Sequence, residues 1–194
     1  MWSRIFALLF LSASAMAQTS ASASAPVPPK IDNDFVHQQF GDSCSLEPQF
    51  QPLTGDLNGD GVEDLVFVAR CKNPLIDQDD KNYKVIDPMD SFYGYGNTKV
   101  TAGFGQNDPR QHGICILVIH GAGDAAWRST STESKFVIIN LAVKTIAVKR
   151  MRISKKRATT AIYVEEANAD QMTGAIFWDG KKYHYEPLGS GMEE

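Results

Sequence analysis

Apolar residues recur along this chain in short, β-branched runs separated by polar or glycine-containing turns, a spacing that predicts strands. The runs cover residues 65–69, 114–120, 136–141, 145–153, 159–164, 175–178 and 182–186. Two of them, 114–119 and 136–141, are apolar without alternation, as expected of central strands covered on both faces. The last two runs flank Asp179 and Gly180, a pair whose positive dihedrals suit a tight turn, so a hairpin is expected there. Ahead of the strands, Asp32, Asn33 and Asp34 precede Phe35, Val36 and Phe40, and Gly41 follows, which is the pattern of one short capped helix. The pattern predicts a single mainly β domain over residues 30–188, a β-sheet sandwich or a partial propeller-like sheet, with a short N-terminal helix and a tail at 189–194.

Residues 1–17 read differently: Arg4, a seven-residue apolar core at 5–11, then small residues ending on Ala15-Met16-Ala17. That is the form of a secretory signal peptide, and its core is far short of the roughly 20 residues a membrane-spanning helix needs. Residues 18–29 are rich in Ala, Ser and Pro and form a linker. No later stretch is apolar enough to span a bilayer, so the product is expected to be exported, secreted or periplasmic, with no membrane span in the mature chain. Three cysteines then face an oxidising compartment, where three single pairings are possible. Cys44 with Cys71 is the preferred pair because it would staple the segments on either side of an acidic loop. Cys115 lies in an apolar run and is expected to be a buried thiol.

That acidic loop carries the chemistry. Asp56-Leu57-Asn58-Gly59-Asp60-Gly61-Val62-Glu63-Asp64 places oxygen-bearing side chains at positions 1, 3, 5 and 9, with Gly at 6. Alternate positions turn inward as a chain curls, and calcium takes six to eight hard oxygen ligands, by the general rule at about 2.3–2.6 Å. Val62 at position 7 would contribute its backbone carbonyl. Position 12 is Phe67, which cannot ligate, so the loop is not an EF-hand. Residues 55–66 resemble the calcium loop of the FG-GAP/VCBS repeat family, which includes integrin-type β-propeller blades; the likeness covers about a dozen residues and occurs once. It implies a loop between two strands that binds Ca2+ through Asp56, Asn58, Asp60, the Val62 carbonyl and Asp64.

With 23 acidic and 19 basic residues the formal net charge is -4, so nucleic acid is not an expected partner. Seven cations, Lys144, Lys149, Arg150, Arg152, Lys155, Lys156 and Arg157, nevertheless occur without an intervening acid. They are read as a solvated strand edge and hairpin tip whose charge resists edge-to-edge aggregation, in preference to a site for an anionic polymer. Residues 72–113 form a polar insertion with Asp77, Asp79, Asp80, Asp87 and Asp90, long enough to be a binding loop. His37, His112, His120 and His184 are scattered, and no metalloprotease, nucleophile-elbow or phosphate-loop motif is present. Phe177, Trp178, Tyr183 and Tyr185 are read as core or cross-strand aromatics of the last hairpin, with a carbohydrate-stacking platform as the sharper alternative. The sequence leans away from an enzyme. It points to an exported, calcium-binding, non-catalytic binding or structural module for a protein or glycan ligand. The alternatives are a secreted hydrolase with its site in 72–113, and an accessory or inhibitor protein acting through that insertion.

Overall fold

The structure is a computed structural model and describes residues 29–94, 110–167 and 169–189. The expected signal peptide and nearly all of the linker lie outside the described residues, as does most of the tail. The short helix α1 (Asn33–Phe40) forms where the capping pattern places it, with Asp32 Oδ1 accepting from the Phe35 amide at 3.1 Å and Gly41 ending it. Ten strands follow. They are β1 (Cys44–Leu46), β2 (Leu53–Gly55), β3 (Asp64–Cys71), β4 (Lys84–Ile86), β5 (Ile114–His120), β6 (Ser134–Ile138), β7 (Val143–Ser154), β8 (Arg157–Glu166), β9 (Gly174–Trp178) and β10 (Tyr183–Pro187). A second short helix, α2 (Pro88–Phe92), lies between β4 and β5.

The strands make two sheets. The first runs β1-β3-β5-β6-β4, with β2 pairing β3 beside β1; the second is the meander β10-β9-β8-β7. Period-two alternation explains why β3, β5 and β6 are apolar throughout. Leu65, Phe67, Ala69, Cys115, Leu117, Ile119 and Val137 face one way, into a core closed by Phe35, Val36 and Phe40 of α1. Val66, Val68, Ile116, Val118, Phe136 and Ile138 face the other way, against Ile162, Val164, Ile176, Tyr183 and Tyr185 of the second sheet. The architecture is therefore a helix on a sheet on a sheet, and of the mainly β arrangements the sequence allows it is the sandwich.

Two features differ from the sequence reading. The insertion is partly built into the fold: β4 pairs in parallel with β6, Tyr83 and Val85 are buried, and α2 packs against β10, bringing Phe92 within 5.8 Å of the Tyr185 ring. Strand β6 also ends at Ile138, three residues before the predicted boundary, because Asn140 takes a positive φ of 64° and turns the chain toward β7. Cys44 and Cys71 stand directly opposite in the β1–β3 ladder and form the disulfide, while Cys115 is a free, buried thiol pushed up to about 12 by that burial. Among the described residues no helix is long and apolar enough to cross a membrane.

Candidate cation loop

The loop between β2 and β3 is held at both ends by the core. Leu57 is buried with the apolar residues between the sheets, and Val62 packs on the opposite side against the helix-facing core. Between these anchors Gly59 and Gly61 adopt φ of 81° and 85°, a region that glycine enters without steric cost. The chain can therefore coil back over Asp56. The Asp56 carboxylate accepts the amides of Gly59 at 2.7 Å and Gly61 at 3.1 Å. Asn58 Oδ1 accepts the Asp60 amide at 3.1 Å, and Asp60 Oδ1 accepts the Val62 amide at 2.7 Å. These bonds fix the three side chains on the loop's own backbone.

Asp64 lies deeper. It is fully buried, and its two oxygens are divided between the Leu57 amide at 2.7 Å and the Gly121 amide at 2.8 Å. Burial pushes its carboxyl up to about 6, and the nearby Asp60 charge adds to the rise, while the backbone amides oppose it. A carboxylate oxygen accepting one amide keeps a second lone pair, so the amide bonds of Asp56, Asp60 and Asp64 leave acceptor capacity. Hard oxygens from carboxylates, an amide and a backbone carbonyl are the donor chemistry that suits calcium. Among the described residues, however, no three His, Cys, Asp or Glu side chains converge as a preformed metal cluster. The donors fit a hard cation in kind, and the contacts they make here are the loop's own hydrogen bonds.

Sequence reading missed the residues that reach this loop from elsewhere. Glu133, just before β6, accepts from Asn58 Nδ2 at 2.9 Å; burial raises its carboxyl, and the adjacent Asp60 carboxylate raises it further. Glu63 points to the other side, as its even position in the loop requires, where Oε2 accepts from Arg128 Nη1 at 2.7 Å and Trp127 Nε1 at 3.0 Å. Behind the loop His120 is buried, with Nε2 2.7 Å from the Tyr183 hydroxyl and Nδ1 3.0 Å from Ser134 Oγ. Phe136, Trp178 and Tyr183 surround its ring at centroid distances of 5.2–5.7 Å. Burial lowers His120 to about 4 against the pull of Asp60 and Asp56, so it is neutral at pH 7. The only local signal for these contacts was His120-Gly121 after an apolar strand. Glu133 lies 75 residues from Asn58 and has no sequence signature at all.

No protein-family model matches this chain, and no curated protein or solved structure was found similar to it. The loop must be read on its own chemistry. Away from it, at the Cys71 end of the sandwich, Gln49, Phe50, Arg110, Gln111, Val143, Lys144 and Ala167 line a cavity of about 400 Å³. Two cations and two amides face it, and no acid or histidine does. The aromatic residues of the last hairpin are core residues where Tyr183 and Tyr185 are concerned; Phe177 stacks on His184 on the outer face at 5.5 Å.

Proposed function

We propose that this chain is an exported, non-catalytic binding or structural module in which the loop from Asp56 to Asp64 holds a calcium ion. The observation that carries the reading is Asp64: a fully buried carboxylate, beside the acidic residues Asp56 and Asp60, with only backbone amides as its hydrogen-bond donors. An ionised group in that position is costly unless positive charge approaches it. Asp56, Asn58 and Asp60 on alternate positions, with the Val62 carbonyl, are the residues that would hold the ion, and Glu133 stands beside them. The resemblance of residues 55–66 to the FG-GAP/VCBS loop supports the same assignment. Export is supported by the leader-like residues 1–17 and by the Cys44–Cys71 disulfide.

When bound, calcium supplies charge compensation and no chemistry on a substrate. Asp64 opens β3, the most buried strand of the first sheet, so ordering the loop transmits to the core. Calcium at about 100 times its dissociation constant would stabilise the fold by roughly 2.7 kcal/mol. Titration calorimetry and thermal unfolding with calcium or chelator provide the test. Asp60→Ala and Asp56→Ala are expected to abolish binding and the calcium-dependent rise in Tm. Glu63→Ala should lower Tm by losing its bonds to Arg128 and Trp127, yet keep the full calcium response. A wild-type Tm indifferent to calcium and chelator alike would overturn the proposal.

A further inference from the structure

The basic run becomes one side of a projecting ribbon. Strand β9 pairs with β8 only from Ala161 to Val164, whereas β7 and β8 continue pairing from Lys149 opposite Ala161 to Ser154 opposite Arg157. Residues 150–160 therefore extend past the sheet as two strands and the turn Lys155-Lys156. Met151 packs with Ala161 and Ala175 on the outer face, so alternation puts Lys149 on that face and Arg150 and Arg152 on the inner one. Lys149, Arg150, Arg152, Lys155, Lys156 and Arg157 are all exposed. None forms an ion pair among the described residues; Arg157 Nη2 donates to the Asp179 carbonyl at 3.2 Å. All 23 acidic residues of the chain lie outside the ribbon.

We infer that this ribbon is a prong that docks the protein, end-on and reversibly, on an anionic lipid surface. Charge and reach both favour that partner. The body is acidic and is repelled by negative charge. The turn stands about five residues, or roughly 17 Å at strand rise, beyond Arg150. That is about twice the screening length of roughly 8 Å at physiological salt, so the tip touches such a surface while the body stays outside its field. Cations radiate from both faces and the turn instead of lining one face, which suits contact by the tip more than seating in a polymer groove. The large exposed apolar residues, Ile76, Phe92 and Tyr93, are all outside the ribbon. The tip thus offers neither a wedge for the bilayer core nor a platform for stacking bases, and its contact is electrostatic.

The experiment is co-sedimentation with vesicles of phosphatidylcholine containing phosphatidylglycerol, or of phosphatidylcholine alone, across a sodium chloride series. Chelator is present throughout, so the outcome is independent of the calcium reading and neither result bears on the other. Binding is expected only with phosphatidylglycerol and should weaken steeply with salt. Each headgroup-proximal cation contributes about fivefold to partitioning, so the Lys155→Gln, Lys156→Gln, Arg157→Gln triple variant should lose on the order of a hundredfold. Its unfolding midpoint should be unchanged, because all three side chains are exposed. Absence of binding to anionic vesicles, equal binding by the folded variant, or preferential capture by duplex DNA or a soluble polyuronate in competition would overturn the inference.

Discussion

At the scale of single residues, the position that most constrains the candidate loop is Gly121. Its amide holds Asp64 Oδ1, and its Cα lies so close to neighbouring backbone that an added Cβ would stand 2.4 Å from the Glu63 carbonyl oxygen and 2.7 Å from Ala126 C and Trp127 N. Backbone on two sides cannot rotate away as a flexible side chain can. Gly121→Ala must therefore displace either the 3₁₀ turn Ala126–Arg128 or the end of the loop, at a cost of about 3 kcal/mol. Gly189→Ala, with nothing within 4 Å of the added carbon, is the matched control and should be neutral. Chemical denaturation of the two variants checks this. Equal midpoints would show that the close approach has no consequence. Nothing in the sequence marks Gly121 as different from other glycines after strands, because the constraint comes from Glu63, 58 residues away.

At the scale of elements, legibility followed length and locality. The runs that became β3, β5, β7, β8, β9 and β10 carry enough β-branched and aromatic residues to stand out, and α1 carries its own caps. By contrast β1, β2 and β4 are three residues each, too short for alternation to show, and exist because β3 and β6 offer them ladder partners. Helix α2 did carry a signal, Asp87 before Pro88 at its first turn, with Asp87 Oδ1 accepting the Asp90 amide at 2.9 Å. That signal was submerged in a segment read as loop. The same contrast applies to the loop site, where donors adjacent in sequence were legible and Glu133 was not. The short strand β1 depends on its disulfide. Cys44 and Cys71 are separated by 27 residues, and removing that cross-link frees the denatured chain by roughly 3–4 kcal/mol in the chain-entropy model. Cys44→Ala with Cys71→Ala should lower the urea midpoint accordingly and loosen α1, which packs beside β1. In the intact protein Cys115 should resist iodoacetamide until denaturant is added, since burial holds its thiol up at about 12. Intact-mass analysis reads both states, and rapid native alkylation would contradict the burial.

For the whole molecule, the sandwich joins two buried titrating groups of opposite tendency. Asp64 opens β3 and His120 closes β5 in the first sheet, and His120 is bonded to Tyr183 in the second, so their protonation registers the packing of both layers. His120 falls from 6.5 to about 4 on folding. The unfolded chain then binds the extra proton within that window, and the histidine's contribution is complete above about 6.5 and is lost as pH falls toward 4. Asp64 rises from 3.8 to about 6. Here the folded state binds the extra proton, and the contribution is complete below 3.8 and is lost as pH rises through about 6. The slopes oppose each other over nearly the same interval. In chelator the Tm should consequently stay almost level between pH 4.5 and 6. Asp64→Asn removes one of the two opposing groups, so its Tm should fall as pH drops from 6.5 to 4.5. Bound calcium favours ionised Asp64 and should impose the same acid-side fall on the wild type. Thermal scans at half-unit pH steps, with chelator and with calcium, separate these cases. A steep acid slope for the wild type in chelator would mean that His120 is not offset by Asp64, and that the two buried groups do not act as a compensating pair.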